Sequence, residues 1–188
     1  MTHGLTPSQT VGPYLHIGLD WLNTTELAPA GAEGERIVIE GRLLDAQGEV
    51  VPDGLIEIWQ ADANGVYAHP EDGRHPTSCF KGFGRCPTDA EGRFRFATIK
   101  PGSVPGTDGR LQAPHIMVNV FARGLLRQLS TRLYFAGDRH DEDFVMQQVP
   151  FERRATLLAK PDAARAGVFE WSVVLGGGSD AETVFFDI

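Results

Sequence analysis

Residues 113–135 read APHIMVNVFARGLLRQLSTRLYF. Apolar and other residues alternate along most of this stretch, the mark of strands half-buried against a core. It resolves into two strands joined by a short connection around Arg123, Gly124 and Leu125. Side chains on a strand change face at every residue. Ile116, Val118 and Val120 therefore form a core face, and His115, Met117, Asn119 and Phe121 share the other. In the second strand Leu133 and Phe135 fall on one face, Arg132 and Tyr134 on the opposite one. An imidazole, a thioether and a guanidinium are thereby placed on one sheet face or its edge.

Strand patterns recur on both sides of this pair. Upstream they are RIVIEGRLL (residues 36–44), LIEIWQA (55–61) and RFRFATI (93–99), each followed or preceded by a turn signal such as Asp62-Ala-Asn-Gly65. After Tyr67 and His69 the chain reads as a long irregular loop through Pro87, a length that usually serves a site. Residues 100–106, KPGSVPG, form a loop whose prolines exclude a central strand. Downstream, residues 151–159 suit a short helix after Pro150, and 167–175 and 183–187 suit two last strands. Residues 1–17 read as an arm with a few apolar side chains, and 18–35 as a loop. The expected fold is all-β, a β-sandwich with long loops, an N-terminal arm and a short helix. The expected division is an arm and loop over 1–35, contacting a partner chain, and a sandwich domain over 36–188.

The composition narrows the function. The 188 residues carry 25 acids against 17 bases, a net charge of -8. That is the wrong sign for a phosphate-binding surface. No apolar run approaches the ~18 residues of a membrane helix. The first residues show no basic-then-apolar secretory signal, so a cytoplasmic protein is expected. Cys79 and Cys86 fit neither a metal pair nor a disulfide framework and read as reduced bystanders. Asp141, Glu142 and Asp143 read as a solvated acidic face, and His69 and His75 as exposed loop residues. Periodicity alone stops at a soluble β-sandwich.

Six stretches, in order, carry more: TPSQTVGPYLHIGL (6–19), EIWQADANGVYAH (57–69), IKPGSVPG (99–106), APHIMVNVFARG (113–124), TRLYFAGD (131–138) and ETVFFDI (182–188). Together they resemble the intradiol ring-cleaving dioxygenases over nearly the whole chain. Within that family they are most similar to the α-type chains of two-chain enzymes that act on carboxylated catechols such as protocatechuate. Iron-bearing members hold a non-haem ferric ion with two tyrosines and two histidines. The matching positions here are Tyr67, Val104, His115 and Met117. Valine has no donor, and a thioether is a soft ligand for a hard trivalent ion. The resemblance therefore implies a chain that binds no iron itself. Its Fe(III) is held by a β partner, and αβ units assemble further.

The same resemblance implies a substrate role. The arm residues Thr10, Gly12, Pro13 and Tyr14, and Arg132, line the partner's pocket. Gly12 and Pro13 allow close backbone approach and a fixed bend. The planar fork of Arg132 suits a carboxylate. The assembled enzyme would cleave protocatechuate with O2 to 3-carboxy-cis,cis-muconate, and the isolated chain would be inactive. Two other readings stay open: a homo-oligomeric catechol-type dioxygenase, and a non-catalytic β-sandwich binding module.

Overall fold

The computed structural model of the chain describes residues 9–12, 14–74, 79–106, 109–176 and 181–187, with residues 14–16 in backbone only. Eleven strands form in chain order among them: β1 (Arg36–Leu44), β2 (Leu55–Trp59), β3 (Phe83–Pro87), β4 (Arg93–Ile99), β5 (Val104–Pro105), β6 (Leu111–Gln112), β7 (His115–Phe121), β8 (Leu129–Phe135), β9 (Leu158–Pro161), β10 (Val168–Glu170) and β11 (Val173–Val174). Two short helices accompany them, α1 (Tyr14–Leu19) and α2 (Phe144–Gln148).

Nine strands form one sheet: eight follow the path β11-β1-β10-β9-β8-β7-β2-β3, and β4 pairs β1 off that path. β5 and β6 form a separate two-stranded ribbon. The path folds over at the β9–β10 junction into two arms. One core cluster takes Ile37 and Ile39 from β1 and Phe94 and Phe96 from β4. Opposite them it takes Ile56, Ile58, Ile116, Val118, Val120, Leu133 and Phe135 from β2, β7 and β8. Each such side chain stabilises the fold by about 1.5–3 kcal/mol when fully buried. The sandwich expected from the periodicity is therefore present, closed along one side by β9 and β10.

The register of the central strands places the functional face. His115 lies opposite Tyr134, Met117 opposite Arg132, and Asn119 opposite Ser130. On the other side of β7, Trp59 lies opposite Met117 and Glu57 opposite Asn119. Ile116, Val118 and Val120 fill the core, so these polar and aromatic groups face outward. A second small cluster of Ala113, Tyr134, Met146, Val149 and Leu157 covers one end of that outer face.

Four elements differ from expectation. The segment expected as irregular loop contains β3. Its inward residues are Gly84 and Cys86, which give almost no hydrophobic signal, and a Cβ on Gly84 would press on the side chains of Leu27 and Ile58. Residues Phe151–Leu157 form a 3-10 helix that ends where β9 begins, because Leu158 and Ala159 pair in parallel with Tyr134 and Phe135. Residues 183–187 form a single bridge, Phe186 to Ser130, rather than a strand. Asp143 leaves the expected acidic face: it is buried and caps α2, accepting from Val145 N and Met146 N at 2.9 Å. Of the expected arm and loop, Thr24 and Glu26 bridge Arg85 and Ala97, and Leu27 is buried, so this part lies along β3 and β4.

Candidate functional site

Two loops and the β7–β8 pair bring the four positions of interest together. Asp62 opens a tight turn after β2, its carboxylate accepting from Asn64 N at 2.9 Å and Val66 N at 3.0 Å. Gly65 completes the turn at φ 73°, a conformation that favours glycine. Tyr67 emerges from it and stacks on Trp59, with ring centroids 5.9 Å apart. The loop bearing Val104 is fastened to the same turn: Gly102 donates to the Asp62 carbonyl at 2.9 Å. Val104 then pairs with Gln112. Gln112 reaches Arg132, whose Nη1 donates to Gln112 Oε1 at 2.7 Å. Arg132 faces Met117, and His115 is two residues away on the same strand face.

His115 is buried and 4% exposed. Its Nδ1 lies 2.8 Å from the Ala113 carbonyl, so the neutral ring carries its proton there. Burial first, and the Arg132 guanidinium second, push its pKa down to about 4. Burial raises the Tyr67 phenol above its ordinary value, with Arg132 drawing it partly back. Burial likewise raises Tyr134, which donates to Asp143 Oδ1 at 3.2 Å and accepts from Arg132 Nη1 at 3.3 Å.

This donor set does not fit a ferric ion. Val104, 4% exposed, offers no lone pair, and Met117 offers only sulfur. The phenol of Tyr67 keeps its proton more firmly than a free tyrosine. The Arg132 charge acts on both Tyr67 and His115, so a fixed cation already faces the two groups that could ligate another. Among the described residues no cluster of three His, Cys, Asp or Glu side chains is arranged to hold a metal.

The arm residues lie elsewhere. Thr10 Oγ1 accepts from Gly124 N at 3.1 Å and approaches the Ala122 carbonyl at 3.5 Å, at the turn after β7. Ala122 is five residues along from Met117, roughly 17 Å at the rise of a strand. Thr10 and Arg132 therefore do not converge within the chain. Gly12 has open space around its Cα. Pro13 and the side chain of Tyr14 lie outside the described residues, as does His75. His69 is exposed, as is Cys79, whereas Cys86 is buried; both thiols are free.

A groove of about 800 Å³ is lined by none of these residues. It lies along β1 and β4, and its charged walls pair among themselves, as Arg95 does with Glu40 at 3.7 Å. The sequence reading missed Gln112, Tyr134 and Asp143. A signal existed for the last: an aspartate directly before FVMQQ is a helix-start pattern.

A family model described as Dioxygenase matches residues 12–188. Two protocatechuate 3,4-dioxygenase alpha chains align over 97% of this chain. That of Pseudomonas putida is 38% identical, with 96% of its own length covered, and that of Burkholderia cepacia is 40% identical, with 97% covered. The chain belongs to the intradiol dioxygenase family. Its relatives in that family include the protocatechuate 3,4-dioxygenase beta chain of Burkholderia cepacia, 40% identical over 77% of this chain and 66% of that one. Among solved intradiol dioxygenases, that of Tetranychus urticae superposes with a TM-score of 0.65 at 16% identity, covering 84% of this chain and 88% of its own. Catechol 1,2-dioxygenase of Acinetobacter radioresistens gives 0.64 at 18%, covering 87% and 60%. At those identities the likeness is one of fold. Members of the family are non-haem iron enzymes, and the donor set of this chain is incomplete for such an iron.

Proposed function

We propose that this chain is the iron-free α subunit of a protocatechuate 3,4-dioxygenase, working in the cytoplasm with an iron-bearing β chain. One observation carries the reading. Near-full-length similarity to α chains coincides with a site in which Val104, Met117 and Arg132 replace the means of holding iron. The ferric ion then belongs to the partner, where protocatechuate meets O2 and gives 3-carboxy-cis,cis-muconate. This chain closes the pocket and orients the substrate, and orientation supplied in advance lowers the barrier to reaction.

Exposed apolar side chains support a partner. Ile17 and Trp21, in and just after α1, are 75% and 77% exposed, and Leu126 beside the Thr10 contact is 68% exposed. Residues 9–22 thus remain the segment that meets the β chain, while Thr24–Leu27 belong to the sandwich. Arg132 anchors the substrate carboxylate, and Thr10, Gly12, Pro13 and Tyr14 enter the pocket from the arm. The two contributions meet only if the partner spans both ends of β7. Similar folds in the two chains favour a pseudo-symmetric pair and further assembly of αβ units.

The test is co-expression with a candidate β chain. The complex should carry the visible tyrosinate-to-iron absorbance, and this chain purified alone should lack it. A coloured preparation of this chain alone, with one iron per polypeptide, would overturn the reading.

A further inference from the structure

Arg132 has five N–H donors in a rigid fork. Its Nη1 carries two of them. One points to Gln112 Oε1 at 2.7 Å and the other to the Tyr134 hydroxyl at 3.3 Å. Both bonds leave from the same nitrogen, so the Nε–Nη2 edge is the part that remains for a bidentate partner. The Tyr134 hydroxyl has one proton and donates it to Asp143 Oδ1 at 3.2 Å. With its proton committed there, the oxygen can only accept from Arg132.

Asp143 is what fixes this arrangement. Its side chain lies in a residue 2% exposed. Oδ1 also takes Val145 N and Met146 N, and Oδ2 takes Ala113 N at 2.8 Å. Ala113 follows Gln112 directly, and Gln112 is pinned on its other side by pairing with Val104. One buried carboxylate therefore positions both acceptors, the tyrosine hydroxyl through its proton and the glutamine through the neighbouring backbone.

We propose that Gln112 and Tyr134, set by Asp143, are positioning residues that hold the Nη1 end of Arg132 and present its Nε–Nη2 edge to a planar carboxylate. This rests on the reading of Arg132 as the carboxylate anchor. It assigns specificity for carboxylated over plain catechols to residues that touch no substrate. An arginine without the cradle would keep its charge but sample many orientations, and losing one such hydrogen bond weakens binding about three- to tenfold.

The experiment uses the assembled α/β enzyme and compares KM for protocatechuate with KM for catechol. Gln112→Leu and Tyr134→Phe should each raise that ratio about three- to tenfold, with the effect on KM rather than kcat. Gln112→Glu, which keeps an acceptor, should restore it. If both variants leave the ratio unchanged while Arg132→Ala raises it, Arg132 orients itself and the cradle is refuted. If Arg132→Ala also leaves it unchanged, the anchor reading fails first. Should Tyr134→Phe prevent assembly, Gln112→Leu decides. Equal losses on both substrates would make the residues structural and overturn the proposal.

Discussion

Gly102 donates its backbone N–H to the Asp62 carbonyl at 2.9 Å, joining the loop of Val104 to the turn of Tyr67. The two loops approach so closely that neither tolerates a side chain at the crossing. A Cβ on Gly65 would run into the Ser103 carbonyl, and one on Gly102 into the Ala63 carbonyl. Gly65 also sits at φ 73°. Gly65→Ala should therefore destabilise the chain by about 2–4 kcal/mol through strain and clash together. Denaturant midpoints at constant m-value measure this.

His115 makes stability depend on pH. An unfolded histidine titrates near 6.5 and the folded one at about 4. Between those values the unfolded chain binds the extra proton, so stability falls as pH drops from 6.5 towards 4 and levels off below. The full loss is on the order of 3 kcal/mol. His115→Gln can keep a donor for the Ala113 carbonyl and has no ring to titrate. Its stability should be flatter over that window, as denaturant melts at pH 7 and pH 4.5 would record.

Arg132 depresses that same imidazole. Arg132→Gln should raise the His115 pKa, while burial still keeps it below the ordinary value. Titration of the ring by NMR gives the direction, and an unmoved pKa would place the guanidinium farther from His115 than the structure does.

The arm should act through assembly or substrate affinity rather than through folding. Thr10 is exposed and its bonds to the β7–β8 turn are peripheral. Thr10→Ala should change the stability of the chain by less than about 1 kcal/mol. Deleting residues 1–14 should instead weaken association with the β chain or raise KM for protocatechuate. Size-exclusion profiles of the co-expressed pair and steady-state kinetics separate the two.

β1 and β4 are legible residue for residue, because RIVIEGRLL and RFRFATI alternate cleanly and end at turn signals. The faces of β7 and β8 follow from the same period. β3 was not legible, since glycine and cysteine fill its inward positions and its pairing with β2 is set by tertiary contact. β9 begins at the end of a stretch that suits a helix, and its pairing with β8 in parallel and with β10 in antiparallel overrides the local pattern there. At the site, Tyr67, Val104, His115 and Met117 follow from the family resemblance and not from periodicity, and the structure gathers these positions around β7 and Arg132. The sequence places Tyr134 beside Arg132 and marks Asp143 as a helix start, but the hydrogen bonds that join them to Gln112 are not legible, because they depend on which side chains the β5–β6 ribbon and α2 bring within reach.

The pairing of β1 sets an order on synthesis. Its neighbours β10 and β11 come from the far end of the chain; Arg42 and Ser172, which share a hydrogen bond there, are 130 positions apart. A nascent polypeptide on the ribosome can pair β1 with β4 early, but its other edge stays bare until residues 168–174 have been made. Such an edge invites pairing with other chains. Premature termination before residue 168 should thus give aggregates rather than a smaller folded subunit.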